Sequence, residues 1–329
     1  MDYRIEKFDS NSESVTHFSE MTNQLYQNDP FYIPPKVTAT ADAQYFLVMQ
    51  NGKSVARAAA MINDDIRHND LKTGLIGYYE AFEDTAAVEI LFKEIEKYFK
   101  SQNCQYIIGP MNGSTWNKYR VTIPDSHPPF FLDNYNKPWY PDQFTANGFE
   151  TIAKYYSSKQ QPAESKRIQK FKDRFSKKGI RIRPIQDFRK DLMQIYEMSR
   201  IGFSNNYLYT PINAEQFLQM YTPIEKYIDP NYVLLAEDPD GRVVGFVFAV
   251  PNIFSQNTKS LIIKTLAVLP ETSQRGLGSL LVEMLHDQAI KDGYQEVVHA
   301  LMYEQNRSTN ILSGKEEHFR NYHLYGKQI

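Results

Sequence analysis

The chain has 329 residues, about twice the ~150 of a typical domain, so two domains are expected. Its 42% hydrophobic and 23% charged residues are globular proportions, which excludes disordered, collagen-like and coiled-coil chains. A formal net charge of −2 gives no whole-molecule attraction to nucleic acid or membrane, and one cysteine, Cys104, excludes an internal disulfide and any multi-cysteine zinc site. The opening MDYRIEKFDSNSESV is acidic early and lacks the apolar core of a secretory leader. No run approaches the ~20 apolar residues of a membrane span, so a cytoplasmic protein is expected.

Residues 3–8 read as a strand, 15–26 as a helix and 46–62 as a hairpin turning at Asn51-Gly52. A strand over 75–82, a helix over 85–100 and a strand over 106–109 follow. The stretch 113–140 holds Trp116, Trp139, Pro124, Pro128, Pro129 and Pro138, and its irregular pattern suits a lid or an interdomain wall. From Lys166 to Arg183 nine Lys/Arg face one acid, Asp173, while Ile168, Phe171 and Phe175 recur at helical spacing. This predicts a basic linker helix over 161–180, either a solvated face or a surface for an anionic substrate or RNA.

The second half predicts a strand over 181–185, helices over 188–203 and 214–227, and hairpin arms over 232–237 and 243–250 around Asp238-Pro239-Asp240-Gly241-Arg242. A strand over 261–268, a helix over 278–292 with Gly293 as its C-cap, a strand over 296–302 and a mixed tail complete it. Both halves follow one order of elements: 33 residues separate Gly52 from Thr85, and 37 separate Gly241 from Gly278. The expected fold is therefore α/β, a central mixed sheet flanked by helices in each of two tandem copies. The copies are placed at 1–160 and 181–329.

The segment carrying chemistry is the glycine-bearing turn between the 261–268 strand and the next helix. Leu266, Ala267 and Val268 end the strand; Ser273, Gln274, Arg275, Gly276, Leu277, Gly278 and Ser279 lead into the helix. Glycines let the backbone approach an anion, and the unpaired N–H groups of a helix start point at it, so a pyrophosphate suits the site. There is no Gly-Lys-Ser/Thr of a Walker A loop and no three-glycine dinucleotide fingerprint.

Val268, Pro270, Arg275, Gly276 and Gly278 resemble motif A of the GNAT acyltransferase superfamily, V-x-P-x-x-R-G-x-G-x-G, and Asn306 with Leu312 resembles its N-x-x-A-x-x-L-Y segment. The segments 25–35, 77–80 and 108–112, with Asn147-Gly148-Phe149, resemble a group of two-domain bacterial GNAT-like proteins. The resemblance implies that the loop amides and Asn306 bind acetyl-CoA or another acyl-CoA as co-substrate, with the preceding strand edge along the pantetheine arm. Ser273 and Gln274 stand where the family usually has Arg/Gln and Gly. Ser313 stands where many members place the tyrosine acid, and Ile262 where some place a glutamate base. Tyr303 and Glu304, beyond the strand where the family's cleft opens, are the candidate catalytic groups. Tyr207 and Tyr209 are the candidate acceptor-binding groups. Glu80, Glu83 and Asp84 occupy the first copy's equivalent turn, where acids would repel a pyrophosphate, so that copy is expected to bind no CoA.

Other chemistry is poorly represented. His318 and His323 have no carboxylate partner in the pattern, so no metal is expected, and Cys104 has no neighbouring histidine. The function these features predict is acyl-CoA-dependent N-acyl transfer, acetyl transfer in its simplest form, to a small-molecule or peptide amine. Neither membrane nor nucleic acid is expected as a partner. Two alternatives follow from the same residues: a non-catalytic acyl-CoA-binding module, and a tRNA-dependent aminoacyl transferase using the basic helix.

Overall fold

The computed structural model describes residues 2–34, 43–270, 276–305 and 316–329. The chain forms two compact units: one from the chain up to Ser126, Asn134–Lys154 and Asn321–Ile329, the other from His127–Asp133 and Tyr155–Arg320.

The first unit runs β1 (Tyr3–Phe8), α1 (Ser14–Leu25), β2 (Gln44–Gln50), β3 (Lys53–His68), β4 (Leu71–Ala81), α2 (Thr85–Ser101), β5 (Tyr106–Gly109), β6 (Val121–Thr122), α3 (Tyr140–Ala146) and the start of β7 (Glu150–Gln160). The Asn51-Gly52 turn forms as predicted, with φ of 49° and 78°. These positive values give the reversed twist a two-residue hairpin needs. β3 runs on beyond the predicted 62 and turns again at Asn69-Asp70, φ 49° and 63°. That hairpin has no glycine to announce it, but Asn and Asp tolerate the left-handed region. Asp84 caps α2 by accepting from the Ala87 N–H, and the stripe Val88, Leu91, Phe92, Ile95 and Phe99 is buried on the sheet. Gly74 is required there, since a Cβ would lie 2.3 Å from the Phe99 ring.

The second unit runs α4 (Ile168–Ser176), β8 (Arg181–Pro184), α5 (Phe188–Gly202), α6 (Ala214–Tyr221), β9 (Val233–Glu237), β10 (Val243–Pro251), β11 (Ser260–Val268), α7 (Leu277–Lys291), β12 (Glu296–Tyr303) and the start of β13 (Glu317–Gln328). The helix predicted over 214–227 changes at Thr222 to a 3-10 turn. Pro223 has no N–H to continue the α ladder. Helix α4, expected as a linker, lies within the second unit, with Phe175 buried and Phe171 against Gly276.

Each unit repeats one sheet plan. In the first, β1-β2-β3-β4-β5 is followed by the 321–328 part of β13 and then β7; in the second, β8-β9-β10-β11-β12 is followed by the 155–160 part of β7. Among the described strand pairs, β4 with β5 and β11 with β12 run parallel, each pair joined by its helix. Residues 321–329 thus complete the first unit's sheet, although the pattern places them in the second copy.

Candidate active site

The parallel pairing of β11 with β12 covers only Ser260–Ile263 against Glu296–His299. Beyond it β11 continues to Val268 beside β10 alone, while β12 turns to β7. Each strand bulges where they part. On β11 the pairs Phe248–Thr265 and Ala249–Ile263 leave Lys264 as an extra residue. On β12 the register slips between His299 and Met302, and Leu301 takes a φ of 59°. A bulge bends its strand and increases its twist. The result is a V-shaped opening whose β11 wall, Thr265, Leu266 and Val268, is half-buried and whose backbone groups on that side have no strand partner among the described residues.

Helix α7 starts below this opening. Its N-cap, Gly276, has φ 113° and supplies no side-chain cap. Among the described residues no side chain caps the first-turn amides of Leu277, Gly278 and Ser279, at the positive end of a 15-residue helix. A Cβ on Gly276 would meet the Phe171 ring at 3.0 Å, so the glycine serves both the backbone angle and the α4 contact. Ser273, Gln274, Arg275, Asn306, Leu312 and Ser313 lie outside the described residues.

At the end of β12 the structure brings together two tyrosines nominated for different roles. The Tyr303 and Tyr207 rings stack at 6.0 Å with planes 12° apart, and Tyr155 of β7 packs on Tyr303 at 5.1 Å. Burial, reinforced by the nearby Glu304 charge, holds the Tyr303 phenol above its ordinary pKa. Glu304 itself is exposed. Tyr209 is half-buried, its phenol also pushed up by burial. Ile262 is fully buried between Val250 and Val298, so this position contributes packing and no base.

Two features had no local signal. Tyr155 reaches the site only because β7 pairs with β12, Tyr303 opposite Tyr155, across 148 residues of sequence. An apolar pocket lies under α5, lined by Phe188, Leu192, Ile195, Tyr221, Phe246 and Phe248 among others, and it touches β11 at Thr265, beside the Lys264 bulge. Its lining residues look like ordinary core positions in the pattern, so nothing distinguishes a cavity from a filled core. Among the described residues no group of three or more His, Cys, Asp or Glu could hold a metal ion, and no helix is long and apolar enough to cross a membrane.

Residues 191–311 match the family model described as the acetyltransferase (GNAT) family. Over 95% of its length the chain is 21% identical to the bacterial ceramide synthase of Caulobacter vibrioides, covering 89% of that protein. It superposes on the tandem GNAT protein of the clavulanic acid biosynthesis pathway with a TM-score of 0.56 at 11% identity, covering 99% of this chain and 98% of that one. It also superposes on the glucosamine N-acetyltransferase region of a fungal multi-domain β-N-acetylglucosaminidase, TM-score 0.58 at 14% identity. There it covers 99% of its own length and 38% of the fungal chain. The segment 191–311 is a GNAT-family domain, in a chain with the fold of tandem GNAT proteins.

Proposed function

We propose that the chain is an acyl-CoA-dependent N-acyltransferase. The observation that carries this reading is the parting of β11 from β12 after Ile263, above an α7 N-terminus whose N-cap, Gly276, has no capping side chain. The amides of Gly278 and Ser279 suit a pyrophosphate, and the unpaired edge at Leu266, Ala267 and Val268 suits the pantetheine arm and the thioester carbonyl. An acceptor amine attacks that carbonyl, a C–N bond forms, and the C–S bond breaks to release CoA. Tyr303, a phenol that stays protonated, gives its proton to the departing thiolate. Glu304, through water, takes the proton the amine loses, and Tyr207 stacks beside Tyr303 on the acceptor side.

Acetyl-CoA is the simplest donor, but two observations favour a longer chain. A relative is named a ceramide synthase, and a ceramide is an amide between a fatty acyl group and a long-chain amino alcohol. The pocket that touches β11 at Thr265 is apolar throughout its lining apart from the hydroxyls of Thr265 and Tyr221. At about 20 Å³ this pocket would admit no more than the end of an aliphatic chain of donor or acceptor, the rest lying along the open side of β11. Thiol release is the test, with acetyl-CoA and palmitoyl-CoA each run against small amines, peptide N-termini and a long-chain amino alcohol. Release is expected to be fastest with the amino alcohol. Acyl-CoA binding without release for any amine would instead establish the binding-module reading, which the burial of Ile262 at the base position favours.

A further inference from the structure

The basic run from Lys166 to Arg183 divides by what its side chains touch. Arg181 and Arg183 pair with Glu237, Arg183 also with Asp191, and the Arg174 guanidinium lies 5.4 Å over the Phe175 ring. The other six, Lys166, Arg167, Lys170, Lys172, Lys177 and Lys178, are exposed, and none makes a side-chain hydrogen bond or ion pair among the described residues. The run's one acid, Asp173, is taken by the Gln169 amide at 2.8 Å. A face of like charges without counter-charge of its own is a positive field open to an anion.

The position of that face in the fold selects the anion. Arg167, Lys170, Arg174 and Lys177 recur at i, i+3, i+7 and i+10, along one flank of the Phe171 and Phe175 stripe, and the caps Arg167 and Lys177 keep helical backbone angles. The stripe sets α4 against the start of α7, with the Phe171 ring 3.0 Å from where a Gly276 Cβ would stand. Arg167 and Lys170 lie within about one turn of Phe171, so their charges can stand roughly 10 Å from the α7 N-terminus. That is close to one Debye length at physiological salt, near enough for the charges to act on a bound anion. The first unit has the reverse arrangement. β4 pairs with β5 only over Thr73–Leu75 against Tyr106–Ile108 and bulges at Tyr78, φ 50°. The chain itself closes the gap, the Met111 N–H donating to the Ile76 carbonyl at 2.7 Å and the Tyr78 N–H to Asn112 Oδ1 at 2.8 Å. Its helix α2 then starts behind Glu83 and Asp84. Cations thus accompany the helix start whose N-cap has no side chain, and acids the one that a carboxylate caps.

We propose that α4 is part of the cofactor site, with Arg167 and Lys170 binding the 3′-phosphate of acyl-CoA. This rests on the acyl-transfer reading, which gives the pyrophosphate to the α7 amides. The 3′-phosphate hangs from the ribose beyond the pyrophosphate and carries a charge of about −1.5 to −2 at pH 7. A phosphomonoester at the solvent-facing end of a ligand suits long cationic side chains, which reach out to it, more than helix amides, which are fixed. The segment from Pro270 to Gly276 holds one cation, Arg275, and one acid, Glu271, so it brings no net charge to the cofactor. The positive charge that CoA requires comes instead from α4.

The test is calorimetric titration of the full chain with CoA and with dephospho-CoA, which lacks only the 3′-phosphate. The wild-type chain should bind CoA about tenfold more tightly than dephospho-CoA, the difference two charge-assisted contacts make. The double variant Arg167→Gln/Lys170→Gln should lose that preference while binding dephospho-CoA as the wild type does. Lys291→Gln removes a charge at the far end of α7, about 20 Å from its start, and should keep the preference. A wild-type chain that binds both ligands equally, or a double variant that keeps the preference, would overturn the proposal. So would an equal loss for both ligands, which would put the cations on the pyrophosphate. Bulk tRNA that binds the wild type and not the double variant, with the CoA preference intact in both, would give the face to RNA. Binding of neither CoA by the wild type would instead remove the acyl-CoA reading itself, so the two failures are told apart.

Discussion

The Tyr303 ring packs against those of Tyr207 and Tyr155, and in the proposed reaction its phenol is the proton donor. A phenol donates only while protonated, so its contribution is complete below its pKa and is lost as pH rises through that value. Because burial and Glu304 raise the pKa above the ordinary 10.0, kcat should show no decline from this group between about pH 7 and 9. Tyr303→Phe should lower kcat by roughly 10- to 100-fold with little change in KM for acyl-CoA. A pH-rate profile of both enzymes checks this, and an unchanged kcat would leave Tyr303 a packing residue. The phosphate end calls for a different choice of variant. Any side chain at Gly276 is strained by its φ of 113° and by Phe171, so lost binding there would be confounded with lost stability. Ser279 sits in the first turn of α7, where an acid favours the helix yet opposes a pyrophosphate. Ser279→Asp should therefore keep or raise the melting temperature while weakening acyl-CoA binding by roughly tenfold or more, the equivalent of ~1.4 kcal/mol.

Helix α7 meets the sheet through two buried histidines. His286 of the helix and His299 of β12 stack at 5.5 Å, and the Gln160 amide nitrogen of β7 lies 3.4 and 3.2 Å from their Nε2 atoms. Burial pushes His286 down to about 4 and, with the His286 charge adding to it, His299 down to about 3; Glu316 opposes both shifts. The unfolded chain, with both near 6.5, binds the protons more readily, so this stabilisation is complete above pH 6.5 and falls as pH drops toward the folded values. The slope is up to about 1.4 kcal/mol per pH unit for each histidine. Urea unfolding between pH 7 and 5 should show it, and His286→Gln should flatten it; the same slope in both chains would assign acid sensitivity elsewhere. None of this was legible beforehand, because the histidines come together only through helix packing and the β7–β12 pairing. Local chemistry was legible. Asn51-Gly52 and Asp240-Gly241 announced their hairpins, and the apolar stripe of α7, Leu281, Leu285 and Ala289, announced its buried face. Asn69-Asp70 and the bulges at Tyr78, Lys264 and Leu301 did not, since each depends on which strand lies alongside.

At the scale of the molecule, the repeated order of elements was readable from spacing, but the final exchange was not. Residues 321–329 follow the second copy in sequence and pair with β5 of the first, a long-range choice that no periodicity encodes. The repetition also predicts how many cofactors one chain binds, because the two counterparts of the opening differ at both of the places an acyl-CoA needs. In the second unit, among the described residues, the β11 edge has no strand partner beyond Ile263 and Gly276 brings no capping side chain to α7. In the first unit Asn112 takes the Tyr78 N–H, Asp84 caps α2 through the Ala87 N–H, and the same Asp84 carboxylate accepts from the Tyr3 hydroxyl. A pyrophosphate at α2 would have to displace that carboxylate and stand beside Glu83, so charge and space both oppose it. Titration with acyl-CoA should therefore saturate at one equivalent per chain, and Ser279→Asp should remove most of that single binding event. Asp84→Asn would keep a capping side chain on α2 while removing its charge, and it should not create a second site, because Asn112 still closes the strand edge. Two equivalents in the wild-type chain, or one strong site that survives Ser279→Asp, would place acyl-CoA in the first unit and reverse the assignment.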